Sequence, residues 1–145
     1  MDVRHHARHD TGAPGFVADL DELLRTCDIV SLHVPGGPGT HHLLDARRIG
    51  LLRPTAVLVN TARGPVVDEA ALAEALHAGR LFAAGIDVFE REPEIHPRLL
   101  SAPRTVLWPH LGSASQATRL RMATTATGAV AVILAGGTPD NVVGG

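Results

Sequence analysis

Short apolar runs rich in valine and isoleucine alternate along this chain with stretches of helical periodicity. Five runs read as strands: Val3 to His6, Ile29 to Val34, Ala56 to Asn60, Ala83 to Val88 and Thr105 to Trp108. Most are apolar on both faces, as strands buried in a parallel sheet are. Helix signals fall between them. Asp19 with Glu22 three residues on reads as a capping box, Asp45 opens a second helix, and Asp68 caps a third from Glu69 to Ala78 that Gly79 stops. A longer helix is predicted from Ser115 to Leu134, closed by Gly136 and Gly137, and its many small residues predict close packing on the sheet. The alternation is that of βαβ units, so the expected fold is α/β with a doubly wound parallel sheet.

The start of the pattern is unusual for a dinucleotide-binding sheet. Such a sheet opens with a strand, a glycine-rich turn and a helix whose N-terminus holds a pyrophosphate, yet no G-x-G-x-x-G occurs in the chain. The glycines of Pro35-Gly-Gly-Pro-Gly-Thr40 follow a strand, but two prolines interrupt them, and the stretch reads as a simple loop.

Composition narrows the function. A chain of 145 residues is one ordinary domain, and 45% apolar with 19% charged residues argues against disorder. Thirteen basic against fifteen acidic side chains give a formal charge of −2, which offers no grip on a nucleic-acid backbone. The single cysteine, Cys27, can form no internal disulfide, fits a reducing cytoplasmic setting and reads as a small buried hydrophobe. No apolar run approaches the length of a membrane span, and the polar first ten residues contain no signal core. His5, His6, His9 and the pair His41-His42 form patches without the convergence a zinc site needs; they read as solvated surface, and no metal site is expected.

Three polar clusters follow directly on strand carboxyl ends, where open parallel sheets place ligands: Thr61-Ala62-Arg63-Gly64, Val88-Phe89-Glu90-Arg91-Glu92-Pro93 and Pro109-His110-Leu111-Gly112-Ser113. They are expected to face one crevice. The planar fork of Arg63 suits a carboxylate, the imidazole of His110 can exchange a proton near neutral pH, and a carboxylate such as Glu92 can orient that imidazole. Together they suit proton-coupled hydride transfer at a carbon beside a carboxylate. The alternative is a set of surface loops with solvated charges.

Four words in this order, Ser31-Leu-His-Val-Pro35, Leu58-Val-Asn-Thr-Ala-Arg-Gly-Pro-Val-Val-Asp68, Gly85-Ile-Asp-Val-Phe-Glu-Arg-Glu-Pro93 and Pro109-His-Leu-Gly112, resemble those of the D-isomer-specific 2-hydroxyacid dehydrogenases. The resemblance runs from about Met1 to Val143. It implies that Arg63 binds the substrate's carboxylate and carbonyl, that His110 is the general acid/base, and that Glu92, rather than Glu90, supports the histidine. It also implies cofactor contacts at Asp87, at the backbone around Thr61, Ala62 and Gly112, at Val34 and Pro35 beside the adenine, and at Thr40, with Arg63 and His110 among them. NAD-preferring members carry an acidic residue where this chain has Ala7, so Arg8, helped by His5, His6 or His9, is placed to pair with a 2′-phosphate. A one-residue slip in the match is the alternative, and NAD and NADP both remain open.

Set against the family, residues 1–145 resemble a partial NAD(P)-binding domain ending in the helix 115–134 and a short tail. The implied fold is an incomplete Rossmann-like sheet lacking its first βα unit, with a gap expected between Val3 to His6 and Ala56 to Asn60. Exposed edges at such a gap predict self-association, and relatives imply a homodimer. The implied function is an NAD(P)-dependent oxidoreductase interconverting a D-2-hydroxy acid and its 2-keto acid, or the nucleotide-binding part of one. The implied partner is thus a small acid, with neither nucleic acid nor membrane. A dinucleotide-responsive interaction module without catalysis, like the family's co-repressor relatives, is the alternative.

Overall fold

The computed structural model describes residues 1–142; Val143, the far end of the resemblance, lies outside them. Two compact units divide the chain, one spanning Met1–Pro109 and a second beginning at His110.

The first unit is built on four parallel strands, β1 (Ile29–Leu32), β2 (Val57–Asn60), β3 (Ala83–Ile86) and β4 (Thr105–Leu107), in the spatial order β1-β2-β3-β4. Flanking them are α1 (Leu20–Thr26), α2 (Ala46–Ile49), α3 (Glu69–His77) and α4 (Pro97–Leu100). Each of the first three helices starts where a carboxylate covers free amides. Asp19 accepts from Asp21 N at 2.9 Å, Asp45 from Arg48 N at 2.8 Å and Asp68 from Ala71 N at 2.9 Å. Leu24, Leu44, Leu58, Leu72, Leu76 and Leu81 are fully buried and form the centre of one apolar cluster, so strand and helix faces share a single core.

An ion cluster ties α1 to α2. The Asp21 carboxylate accepts from Arg47 Nη1 at 2.5 Å and Nη2 at 3.2 Å, and from Arg48 Nε at 3.1 Å. The hydrogen bond from Arg47 holds the Asp21 carboxyl down to about 2, against a partial burial that pushes it up, with Arg48 adding to the lowering. Arg47 is raised in turn by the same bond.

Three expectations need correction. The predicted strand Val3 to His6 does not join the sheet; His5 makes one parallel bridge to Phe16, with His5 N donating to Gly15 O (2.9 Å) and Val17 N to His5 O (2.8 Å). None of residues 1–19 is buried, so this segment has no apolar face to hold a longer ladder. Nor is there a gap beside Ala56 to Asn60, because β2 pairs with β1 on one side and β3 on the other; the open edges are β1, where Ile29 is exposed, and β4, where Val106 is. The remaining strands are shorter than predicted, since Val34, Val88 and Trp108 lie beyond the last paired residues.

The second unit carries α5 (Gln116–Leu134), capped by Ser115, whose hydroxyl accepts from Thr118 N at 3.2 Å, and followed by Gly136 at a φ of +78°. None of its residues is buried, and Leu120, Met122, Ile133 and Leu134 are exposed.

Candidate active-site edge

The candidate site grows from what happens at the carboxyl ends of β2 and β3. β2 ends at Asn60, which is 1% exposed and folds the turn that follows with its own amide: Oδ1 accepts from Ala62 N and Nδ2 donates to Arg63 O, both at 3.1 Å. Its backbone carbonyl accepts from Asp87 N at 3.0 Å, joining the turn to the end of β3. Gly64 completes the junction. A Cβ there would lie 1.9 Å from the Phe89 carbonyl carbon and oxygen, so only glycine lets the two loops meet backbone to backbone.

Arg63 emerges from this turn exposed, with Nη1 donating to Ala62 O at 2.6 Å. Gly36 lies against its stem, where a Cβ would come within 3.0 Å of Arg63 Cγ. Gly36, Gly37, Thr40, His41 and Arg63 line a recess of about 160 Å³. Thr40 turns the loop that forms its wall by donating its hydroxyl to Pro35 O at 2.7 Å. Val34 is half-buried and Pro35 exposed on the same loop, which contains a short 3-10 turn at Pro38–Thr40.

Beyond β3, Asp87 is a buried carboxylate, 6% exposed. Glu92 is exposed, and its Oε1 accepts from Phe89 N at 3.1 Å. Glu90 turns the other way, toward α3: its Oε1 accepts from Glu69 N at 2.8 Å, while its own N–H donates to Glu69 Oε1 at 2.5 Å. The structure therefore brings Thr61, Ala62 and Arg63 to the same edge as Asp87 and Glu92. Arg8 is exposed in the N-terminal segment and does not line the recess. In the second unit, His110 is exposed at a φ of +56°, a left-handed conformation uncommon for a residue with a side chain, and Gly112 follows two residues on.

Sequence reasoning misses Asn60 and Glu69 as parts of this edge. An asparagine closing a strand before a small-residue turn is the available signal for Asn60. Glu69 reads in the sequence as ordinary first-turn acidity of a helix. His42, expected as solvated surface, is instead only half-buried beside two carboxylates: its Nε2 stands 3.3 Å from Glu90 Oε2 and its Nδ1 3.9 Å from Asp68 Oδ2. Among the described residues no group of three His, Cys, Asp or Glu could hold a metal ion, and no helix is long and apolar enough to cross a membrane.

Comparison with known proteins agrees with the four words in the sequence. Residues 1–112 match the family model described as D-isomer specific 2-hydroxyacid dehydrogenase, NAD binding domain. The chain is 42% identical over 141 residues to a glyoxylate/hydroxypyruvate reductase B of Citrobacter koseri, a match covering 97% of this chain and 44% of that protein. Among solved structures, the TT0316 protein of Thermus thermophilus superposes with a TM-score of 0.89 at 45% identity, covering 95% of this chain and 45% of that one. The NADPH-dependent glyoxylate/hydroxypyruvate reductase of Sinorhizobium meliloti, in complex with NADP and malonate, superposes at 0.84 with 36% identity, covering 89% and 41%. The chain thus spans less than half the length of these relatives. It belongs to the NAD-binding domain family of the D-isomer-specific 2-hydroxyacid dehydrogenases.

Proposed function

We propose that this chain is the NAD(P)-binding part of a reductase that converts a 2-keto acid of the glyoxylate or hydroxypyruvate class to the D-2-hydroxy acid. One observation carries the reading most directly. Arg63 stands exposed on a turn that Gly64 holds against the loop bearing Glu92, beside the buried Asp87, so a carboxylate-binding cation and two carboxylates occupy one sheet edge.

The residues present fit the nicotinamide end of the cofactor. Asp87 offers a buried acceptor for a carboxamide, and the Thr61–Ala62 backbone lies at the same sheet edge. With no G-x-G-x-x-G in the chain, no residue is assigned to the pyrophosphate. Bound NAD(P)H supplies the hydride. Arg63 pairs with the substrate's carboxylate and polarises its carbonyl; His110 gives its proton to the carbonyl oxygen; Glu92 favours the charged imidazole. Val34, Pro35 and Thr40 border the adenosine end, and Gly112 adds a backbone contact. Ala7 places no carboxylate against a 2′-phosphate, and Arg8 supplies a cation, which supports acceptance of NADP as well as NAD. A homodimer belongs to the same reading, supported by the apolar side chains that α5 leaves exposed, and a cytoplasmic site accords with a single free thiol at Cys27.

The test is a turnover assay with glyoxylate and hydroxypyruvate, using NADH and NADPH in turn, on the wild type, Arg63→Ala and His110→Ala. Either substitution is expected to lower kcat/KM by about a hundredfold or more. Turnover that survives both variants would overturn the assignment.

A further inference from the structure

The segment 90–96, which carries Glu92, is closed at its base by a single side chain. Glu69 is 5% exposed, and its carboxylate accepts from Glu90 N at 2.5 Å through Oε1 and from His96 N at 3.1 Å through Oε2. Its own N–H donates to Glu90 Oε1 at 2.8 Å, so the first residue of α3 and the first residue of the segment exchange bonds in both directions. Within the loop, Glu94 N donates to Arg91 O at 2.9 Å, and an antiparallel bridge joins those two residues, leaving Glu92 at the tip. His42 Nε2 stands 3.3 Å from Glu90 Oε2. The loop then passes directly from Glu90 to Phe89, whose carbonyl abuts Gly64 and so the turn bearing Arg63.

We infer that Glu69 is a positioning residue: by holding both ends of the 90–96 loop it sets where Glu92 stands, and through Phe89 and Gly64 it keeps that loop in register with Arg63. This rests on the proposed reductase reading for its catalytic meaning, but the clamp itself is a property of the chain. The choice of a carboxylate follows from hydrogen-bond supply. Two part-buried amides converge on one side chain, and an ionised carboxylate accepts at both oxygens, whereas a glutamine of the same shape presents one acceptor and one NH2 that faces a donor. The pairing also gives the two glutamates of the Asp-Val-Phe-Glu-Arg-Glu word separate tasks. Glu90 bonds to α3, while Glu92 stands at the tip of the loop with its Oε1 accepting from Phe89 N.

The experiment is residue-resolved amide exchange on the 145-residue protein, comparing wild type with Glu69→Gln, Glu69→Asp and Leu76→Ala. Leu76 is fully buried on the same helix, so its truncation reports plain loss of stability. Glu69→Gln should speed exchange at Phe89, Glu90 and His96 by about tenfold more than at core amides such as that of Leu58, and Glu69→Asp should fall between it and the wild type. Leu76→Ala should lower protection evenly. An even loss in Glu69→Gln, indistinguishable from that of Leu76→Ala, would overturn the inference, and if Glu69→Gln does not fold, Glu69→Asp against Leu76→Ala decides it alone. Where the wild type turns over a keto acid, Glu69→Gln should lower kcat by about tenfold with little change in KM for the nicotinamide cofactor. A wild type that turns over neither keto acid leaves the exchange pattern to judge the clamp alone, and turnover that survives Arg63→Ala and His110→Ala would overturn the reductase reading without touching the clamp.

Discussion

Two places in the first unit bring a glycine against foreign backbone, and they differ in everything around that contact. At the edge of β2 and β3, Gly64 meets the Phe89 carbonyl amid three buried polar side chains, Asn60, Glu69 and Asp87, with Asn60 and Glu69 bonded to the loops that pass them. In the N-terminal segment, Gly15 meets Val3 O, which a Cβ would approach to 2.4 Å, yet no residue from 1 to 19 is buried. Close approach is common to both; only the first has a core behind it. A tight backbone junction stabilises the fold as a whole when apolar burial and satisfied polar groups couple it to the rest, and otherwise remains a local event.

The widest separation between the two places comes from adding the same methyl group to each. Gly64→Ala forces a Cβ into a carbonyl that β3 and α3 hold in place, and should cost about 3 kcal/mol or more, at the upper end of overpacking effects. Gly15→Ala, at a φ of +85°, should break the His5–Phe16 bridge but move the main unfolding transition by less than about 0.5 kcal/mol. Urea unfolding of both variants checks this. Equal losses would show that residues 1–19 are coupled to the core despite their exposure.

The same contrast explains what the sequence discloses. β1 to β4 and the caps at Asp19, Asp45 and Asp68 are legible because apolar runs and cap residues act locally, and Arg63 and Glu92 because each follows a strand end at which open parallel sheets place their ligands, whereas Asp87 is suggested only by the family resemblance. Val3 to His6 fails as a strand because pattern alone cannot say whether a neighbour exists to pair with. The order β1-β2-β3-β4 is hidden for the same reason: which edge is open depends on pairing, and the expected gap falls beside the wrong strand. Glu69 escapes notice because its partners, Glu90 and His96, are more than twenty residues away, and nothing in a helix's first turn distinguishes a solvated glutamate from one that closes a distant loop.

A smaller effect tests whether the polar groups at the β2–β3 edge act as a network. Asn60→Ala removes the acceptor for Ala62 N and the donor to Arg63 O from a buried position, and should cost about 2 kcal/mol. Asn60→Asp keeps the acceptor while setting a carboxylate oxygen against the Arg63 carbonyl, so it should be no better than alanine. An aspartate variant as stable as wild type in urea would mean that the Ala62 bond alone shapes the turn.

The smallest effect lies where the exposed N-terminal stretch gives way to the packed unit, at the Asp21 cluster between α1 and α2. Arg47 and Arg48 favour the charged carboxylate, and the folded value near 2 lies below the ordinary 3.8. The unfolded chain therefore takes up its proton first as the solution is acidified. The stability this group contributes is fully present above about pH 4 and is lost as the pH falls toward about 2. Asp21→Asn cannot show that loss. The urea midpoints of wild type and Asp21→Asn should differ near pH 5 and converge by about pH 2, by a small amount because both arginine side chains reach solvent, where ion pairs are weak and salt-screened. Added salt should shrink the gap at about pH 5 while leaving the Gly64→Ala loss untouched, which separates a surface ion cluster from a packed junction in one measurement. A gap that stays constant over that acid range would mean that Asp21 acts through its shape at the start of α1 rather than through its charge.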